Sequence, residues 1–156
     1  MITLICCYNN RECLDNMLIP SIKCQEKQPQ LILIDNNKRN YKSAAQAYNS
    51  EVVNAEGDVL VFCHQDIAFD NQKFFYEIEE MFLENPNMIL GLAGVKRDGC
   101  VYSNLKYLKN KKYITRKRVK EKRERVESLD ECFIAIKTEN FRKLLFNEDV
   151  CDNWHL

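Results

Sequence analysis

Short apolar runs alternate with segments of helical periodicity along the first 95 residues of this chain. The apolar runs occupy residues 2–7, 31–34, 59–63 and 88–95. The segments between them, in which apolar side chains recur every three or four positions, occupy residues 11–24, 43–55 and 71–85. An uninterrupted apolar run is typical of a strand buried on both faces, and strands that alternate with helices form parallel sheets through right-handed crossovers. The pattern therefore predicts an α/β fold of the doubly wound kind.

The size and composition of the chain are those of one globular domain. It has 156 residues, of which 46% are hydrophobic and 29% are charged, enough to build one sizeable core. No apolar run approaches the roughly 20 residues of a membrane span, and the first residues show no basic region followed by a cleavage site. We therefore expect a cytoplasmic protein in which all eight cysteines are reduced thiols.

The charges balance overall but are strongly separated along the chain. Lys and Arg together number 23, as do Asp and Glu, and the resulting net charge of zero argues against a protein held on nucleic acid by its total charge. Residues 106–125, by contrast, hold eleven basic and two acidic side chains. Such a segment is compatible with a solvated loop, with contact to an anionic membrane surface or substrate, or with a nucleic-acid-binding module.

Polar clusters follow the first three predicted strands. They are Tyr8-Asn9-Asn10, Asp35-Asn36-Asn37 and His64-Gln65-Asp66. Ligands of open parallel sheets bind beyond the carboxyl ends of the strands. Asn and Asp are also ordinary turn residues, so a single cluster would carry little weight. Three clusters in succession predict one shared binding site.

The sequence offers no glycine-rich loop that would bind the phosphate groups of a ligand. The four glycines form neither a G-x-G-x-x-G fingerprint nor a P-loop, which argues against a dinucleotide dehydrogenase and a P-loop NTPase. A cation held by a carboxylate is another way to neutralise phosphate. Asp66 is the best candidate ligand, and His64 would lie on the same side of an extended backbone.

The order of these segments resembles the family 2 glycosyltransferases of the GT-A fold. The similarity covers the strand with Tyr8-Asn9, the strand with Asp35-Asn36, the helix with Asn49, and the stretch of residues 55–66 that begins Ala-Glu-Gly-Asp. That stretch ends in His64-Gln65-Asp66 where the family reads D-x-D, so His64 replaces the first carboxylate. Later, residues 127–137 resemble the acceptor-side strand of the family, and residues 141–146 resemble the helix after it.

The resemblance implies a single GT-A-like (Rossmann-like) domain over residues 1–156, with a mostly parallel sheet flanked by helices. Within it, residues 1–95 would be the nucleotide-sugar-binding half and residues 96–125 a basic variable loop. Residues 126–156 would be the acceptor-side part, which the resemblance implies is truncated at its C-terminal end.

The activity implied by the resemblance is transfer of a sugar from a nucleoside-diphosphate sugar to a glycan or lipid-linked acceptor, as in polysaccharide biosynthesis. Mg²⁺ or Mn²⁺ would assist by bridging the diphosphate. The basic segment 106–125 would then contact an anionic membrane, placing the protein peripherally at the inner membrane face. The alternatives are an inactive, truncated domain that binds nucleotide or a partner, and a nucleic-acid-binding module.

The resemblance also implies roles for individual residues. Tyr8 would stack on the nucleobase and Asp35 would hydrogen-bond it. The other residues assigned to nucleotide binding are Asn9, Asn36, Asn49 and His64. The residues assigned to the metal are Asp66, His64 and His155. The candidates for the catalytic base are Glu148, Asp149 and Asp152.

Overall fold

A five-stranded sheet forms the centre of the molecule in the computed structural model, which describes residues 1–114 and 123–149. The strands are β1 (Ile2–Tyr8), β2 (Gln30–Asp35), β3 (Val59–Cys63), β4 (Ile89–Gly91), β5 (Ala93–Val95), β6 (Val101–Ser103), β7 (Ser128–Leu129) and β8 (Phe133–Lys137). The central sheet has the order β2-β1-β3-β8-β4. Strands β2, β1 and β3 are parallel, and β8 runs antiparallel to both of its neighbours. The predicted mostly parallel sheet is thus confirmed.

Five α-helices flank this sheet within the described residues. They are α1 (Arg11–Asn16), α2 (Leu18–Lys23), α3 (Ala44–Glu51), α4 (Phe74–Glu84) and α5 (Thr138–Leu144), and a 3-10 turn, Val52–Asn54, extends α3. The helical pattern over residues 11–24 is interrupted by Pro20, which predicts a kink or an early end, and the chain does break there, at Met17, into α1 and α2. Pro20 has no N–H to donate to the Asn16 carbonyl, so the hydrogen bond that would have continued α1 into α2 is missing.

Both faces of the central sheet are covered, which accounts for the uninterrupted apolar strands. On one face, Leu4 and Val61 pack among the apolar side chains of α1, α2 and α4. On the other face, Ile5 and Phe62 pack among those of α3 and α5. The Phe62 ring lies 5.0 Å from the ring of Tyr48 on α3 and 4.7 Å from that of Phe141 on α5, measured between centroids.

The apolar run at residues 88–95 forms two strands rather than the one predicted. The chain bends at Leu92, so that β4 joins the central sheet and β5 joins a second, antiparallel sheet of order β6-β5-β7. Gly94 makes this second sheet possible, since a Cβ at that position would lie 2.6 Å from the carbonyl oxygen of Ser128 on β7. The apolar pattern alone cannot show that its two halves belong to different sheets.

A buried polar cluster ties the start of β3 to β1 and α5. The Thr3 hydroxyl donates to Gln30 Oε1 at 2.6 Å and accepts from the Gly57 N–H at 2.8 Å. The Gly57 carbonyl accepts from the Thr138 hydroxyl at 2.5 Å. The Gly57 segment therefore crosses directly against the backbone of β1.

Within the described residues, no helix is long and apolar enough to cross a bilayer.

Candidate functional site

The carboxyl ends of β1 and β2 bring Tyr8 and Asp35 together. They are paired in the parallel register, and the Tyr8 hydroxyl donates to Asp35 Oδ2 at 3.1 Å. The Tyr8 side chain is almost entirely buried, with 6% of its surface exposed, whereas Asp35 is exposed. The pair therefore presents mainly a carboxylate to solvent, with an aromatic ring beneath it.

The Asp35 carboxylate is held ionised by its own turn. The backbone N–H of Asn37 and the Asn37 amide donate to Asp35 Oδ1 at 2.9 and 2.8 Å. These bonds, together with the Tyr8 hydroxyl, hold the pKa of Asp35 below its usual value. Asp35 is thus a fixed anionic acceptor at neutral pH.

Arg11 is a part of this site that sequence reasoning missed. Its guanidinium carbon lies 5.8 Å from the centroid of the Tyr8 ring, and its Nε donates to Asp15 at 2.8 Å. A planar ligand that stacks on Tyr8 must either displace the guanidinium or be held between the two groups. The three-residue spacing between Tyr8 and Arg11 gives no signal of this contact, because the chain changes from strand to helix between them.

Gln65, which was not among the predicted site residues, joins the end of β1 to the end of β3. Its carbonyl oxygen accepts from the backbone N–H groups of Asn9 and Asn10 at 3.1 and 2.9 Å. Its amide nitrogen donates to Asn9 Oδ1 at 2.9 Å. The two polar clusters are therefore one hydrogen-bonded unit, and Asn9 belongs to the framework of the site.

His64 and Asp66 line one groove together, and Gln65 between them does not contribute to its wall. The expectation that the two side chains share a side is met, but through a turn rather than an extended strand, since the Ile67 N–H bonds the His64 carbonyl at 3.4 Å. The His64 N–H donates to the Cys132 carbonyl at 3.0 Å, which continues the pairing of β3 with β8. Asp66 is exposed to solvent.

The groove has a volume of about 1790 Å³ and lies between α4 and the second sheet. Its walls are largely apolar and include Ile78, Leu90, Leu92, Leu105 and Leu129. Two ion pairs lie at the groove, Lys106 with Asp70 at 2.9 Å and Arg123 with Glu84 at 3.1 Å. The groove can hold a molecule much larger than a metal–phosphate group, with His64 and Asp66 on its wall.

Cys63 and Cys132 lie beside these residues, the first in sequence and the second through its backbone bond to His64. Cys63 is fully buried, and burial raises the pKa of both Cys63 and Cys132 well above the usual range. Burial therefore favours the protonated thiol at both positions. Among the residues that the structure describes, no three His, Cys, Asp or Glu side chains are grouped to hold a metal ion.

Two of the predicted nucleotide-binding residues instead organise the backbone. Asn36 is 4% exposed, and its side-chain oxygen accepts from the Tyr41 N–H at 3.0 Å. Asn49 lies on α3, where its amide donates to the Phe146 carbonyl at 2.9 Å and its side-chain oxygen accepts from the Phe146 N–H at 3.0 Å. Both asparagines hold loops in place, and neither lines the groove.

The structure does not bring Glu148 or Asp149, two of the three predicted catalytic carboxylates, to the groove. Asn49 also donates to Glu148 Oε1 at 2.9 Å, and this holds Glu148 against α3. Helix α3 covers one face of the sheet, whereas α4, which lines the groove, covers the other. Asp149 follows directly and likewise does not line the groove. Asp152 and His155 lie outside the described residues.

The basic segment 106–125 is described only at its two ends. Lys106 bonds Asp70 and lies 5.3 Å from the Tyr113 ring centroid, and Arg123 bonds Glu84. Residues 115–122, which carry much of its charge, lie outside the described residues. Contact with a membrane or with nucleic acid therefore stays a prediction.

Comparison with known families agrees with this arrangement. The sequence matches the model of a glycosyltransferase-like family over residues 3–156. The chain belongs to this family. A comparison with curated proteins found no match. Membership confirms the resemblance to family 2 glycosyltransferases and the GT-A-like fold, and it identifies the chain as a protein of the general glycosyltransferase kind.

Proposed function

We propose that this glycosyltransferase-like protein moves a sugar from a nucleoside-diphosphate sugar to a hydroxyl of a glycan or lipid-linked acceptor. One observation carries the proposal. The three hydrogen bonds of Gln65 join Asn9 and Asn10, which follow Tyr8 at the end of β1, to the turn that holds His64 and Asp66. A donor of this class needs a surface for its base and a cation for its diphosphate, and the sheet edge offers candidates for both within one rigid unit.

The nucleobase would bind at Tyr8 and Asp35. Because only 6% of Tyr8 is exposed, Arg11 would have to move to uncover the ring for stacking, whereas the exposed, ionised Asp35 can accept from a base N–H without such a change. A base that offers an N–H beside a carbonyl, as uracil, thymine and guanine do, suits this acceptor.

His64 and Asp66 would hold the metal. Both residues line the groove. The Asp66 carboxylate is the kind of oxygen ligand that Mn²⁺ and Mg²⁺ take, with phosphate oxygens and water in the remaining positions, and His64 would add one imidazole nitrogen. When bound, the cation would neutralise the charge that develops on the departing nucleoside diphosphate. His155, assigned as a third ligand by the resemblance, lies outside the described residues.

The group that removes the acceptor proton would come from the C-terminal part of the chain. Glu148 is held on the far face by Asn49, so its placement does not favour a role as this base. The same applies to Asp149, which neighbours it. Asp152 stays the candidate from the sequence. A domain that binds donor without transferring the sugar is the alternative function.

The proposal is tested by calorimetric titration of the chain with UDP, GDP and thymidine diphosphate, each with and without Mn²⁺. We expect one nucleotide to bind, and to bind more tightly when Mn²⁺ is present. Hydrolysis or transfer of the matching nucleotide sugar would then separate an active enzyme from an inactive nucleotide-binding domain. Failure of every nucleotide to bind under both conditions would exclude a donor site in this chain.

Asp35→Asn should weaken binding of that nucleotide by roughly tenfold to a hundredfold, because a hydrogen bond to a charged acceptor contributes about 1.5–3 kcal/mol. The substitution keeps the size of the side chain but removes its charge. The measurement is the dissociation constant from the same titration, with Glu139→Gln as the control. Glu139 is an exposed carboxylate at the start of α5. Equal affinities for Asp35→Asn and the unmodified chain would remove Asp35 from the base site.

A further inference from the structure

Gln65 occupies an unusual position between two parts of the site. It is flanked in sequence by His64 and Asp66, whose side chains line the groove. Its own side chain extends instead to residues 55 and 56 positions earlier in the chain, at the exit of β1. The Gln65 side chain thus contacts the loop that follows Tyr8, whereas its two neighbours in sequence are the candidate metal ligands.

The contacts of Gln65 also determine where α1 begins. Asn10 is the N-cap of α1. Its N–H donates to the side-chain oxygen of Gln65, and its own side chain accepts from the Cys13 N–H at 3.0 Å. Arg11, the first residue of α1, contacts the Tyr8 ring. A shift of the Gln65 side chain would therefore act on the N-terminal end of α1, which carries Arg11 against the Tyr8 ring.

The other side of the connection is equally constrained. The His64 N–H is fixed to the Cys132 carbonyl at the entry to β8, so the turn that carries the ligands cannot rotate freely. The Gln65 side chain therefore connects the β1 loop to a turn whose backbone is held on its other side. Contiguous hydrogen bonds of this kind can carry a coupling between two sites.

We infer that Gln65 is a positioning residue that makes metal binding and nucleobase binding cooperative. This inference rests on the proposed function. Gln65 would touch neither the base nor the metal. It would hold the base site in its binding geometry when the metal ligands are engaged, and the metal ligands in theirs when the base is bound. Linkage makes the effect reciprocal, and coupling factors between sites in proteins typically run from about 5 to 150.

The test measures the factor by which Mn²⁺ tightens UDP binding, or binding of GDP or thymidine diphosphate if one of these binds more tightly. The same titrations are run on the unmodified chain, Gln65→Met and Gln65→Asn. Methionine matches the size of glutamine but lacks its polar atoms, and asparagine draws the amide back from Asn9 and Asn10. We expect both variants to lower the coupling factor at least about fivefold. A weaker affinity with an unchanged factor would indicate a merely structural role and overturn the inference.

Two further variants make the result specific. Gln65→Glu keeps an oxygen that accepts from both N–H groups, so it should retain more of the coupling than Gln65→Met. Gln28→Met is the matched control, because the Gln28 amide bonds the Ile22 and Gln25 carbonyls far from this edge. It should leave the factor unchanged. Thermal unfolding of each variant shows whether it is folded. If Gln65→Met is unfolded, the coupling factor of Gln65→Asn, the milder change, tests the inference.

The outcomes separate the inference from the proposed function. If the unmodified chain binds no nucleotide with or without Mn²⁺, the proposed function and the inference both fail. If it binds with a clear Mn²⁺ effect that Gln65→Met and Gln65→Asn retain, the proposed function stands and the inference about Gln65 is wrong.

Discussion

Asp66→Asn should remove the dependence of nucleotide binding on Mn²⁺. Asp66 is the exposed carboxylate of the turn after β3 and would be the only negatively charged protein ligand among the described candidates. Asparagine has the same shape but no charge, so the turn should fold unchanged while the cation loses its strongest partner. Loss of an outer-shell partner of a metal ligand already costs about 10- to 100-fold in metal affinity, so loss of the ligand itself should cost at least that much.

The matched control for this substitution is Asp70→Asn. Asp70 lines the same groove four residues later, but its carboxylate is engaged by Lys106 at 2.9 Å, which lowers its pKa. The change in charge is identical, so any general electrostatic effect on an anionic nucleotide should appear in both variants. We expect Asp70→Asn to keep the full Mn²⁺ effect in the calorimetric titration. A Mn²⁺ effect that survives in Asp66→Asn would show that the metal binds elsewhere.

Gly57→Ala should be the most destabilising small substitution of the fold. A Cβ at this position would lie 2.5 Å from the Thr3 nitrogen, 2.7 Å from the Ile2 carbonyl carbon and 2.8 Å from the Met1 oxygen. These are backbone atoms of β1 and the residue before it, which cannot move without disturbing the pairing of β1 with β2 and β3. Overpacking of cores costs typically 1–3 kcal/mol, and because only backbone can give way here we expect about 3 kcal/mol or more.

The measurement is the free energy of unfolding from urea titration followed by circular dichroism. A loss of this size is a large part of the roughly 5–15 kcal/mol by which domains are stable. Gly99→Ala is the control, because Gly99 has a φ of +78° but nothing within 4 Å of an added Cβ. It should lose only the roughly 1–2 kcal/mol of a left-handed backbone. Comparable losses for the two variants would mean that β1 can shift to make room.

The sequence predicted the positions of the strands well because their signal is local. A strand buried on both faces must be apolar at every position, and the runs that contain Leu4, Leu33 and Val61 satisfy this requirement without reference to the rest of the chain. The sheet edge at which the polar clusters meet follows from the parallel alternation of strands and helices, which is also a local pattern. For that reason the sequence alone was enough to place the three polar clusters, with Asp35 and Asp66 among them, at one edge of the sheet.

The sequence could not show the partners of polar side chains that contact distant parts of the chain. Asn36 and Asn49 are polar residues at suitable positions in the family pattern, but their side chains bond the backbone of Tyr41 and Phe146. Glu148 follows the expected acceptor helix, yet its bond with Asn49 holds it on the face opposite the groove. A residue type can suggest chemistry, whereas the partner of its side chain depends on how two separate segments are packed.

The sequence by itself determined the fold class and the edge of the sheet at which the three polar clusters lie, and it predicted Asp66 as a metal ligand. These depend on hydrophobic periodicity and on strand direction, which neighbouring residues encode. The tertiary structure alone decided that Gln65 joins the two loops, that Arg11 lies against Tyr8, and that Gly57 must lack a side chain. Each of these depends on contacts set by strand register or by the packing of a turn, and such geometry exists only once the chain has folded.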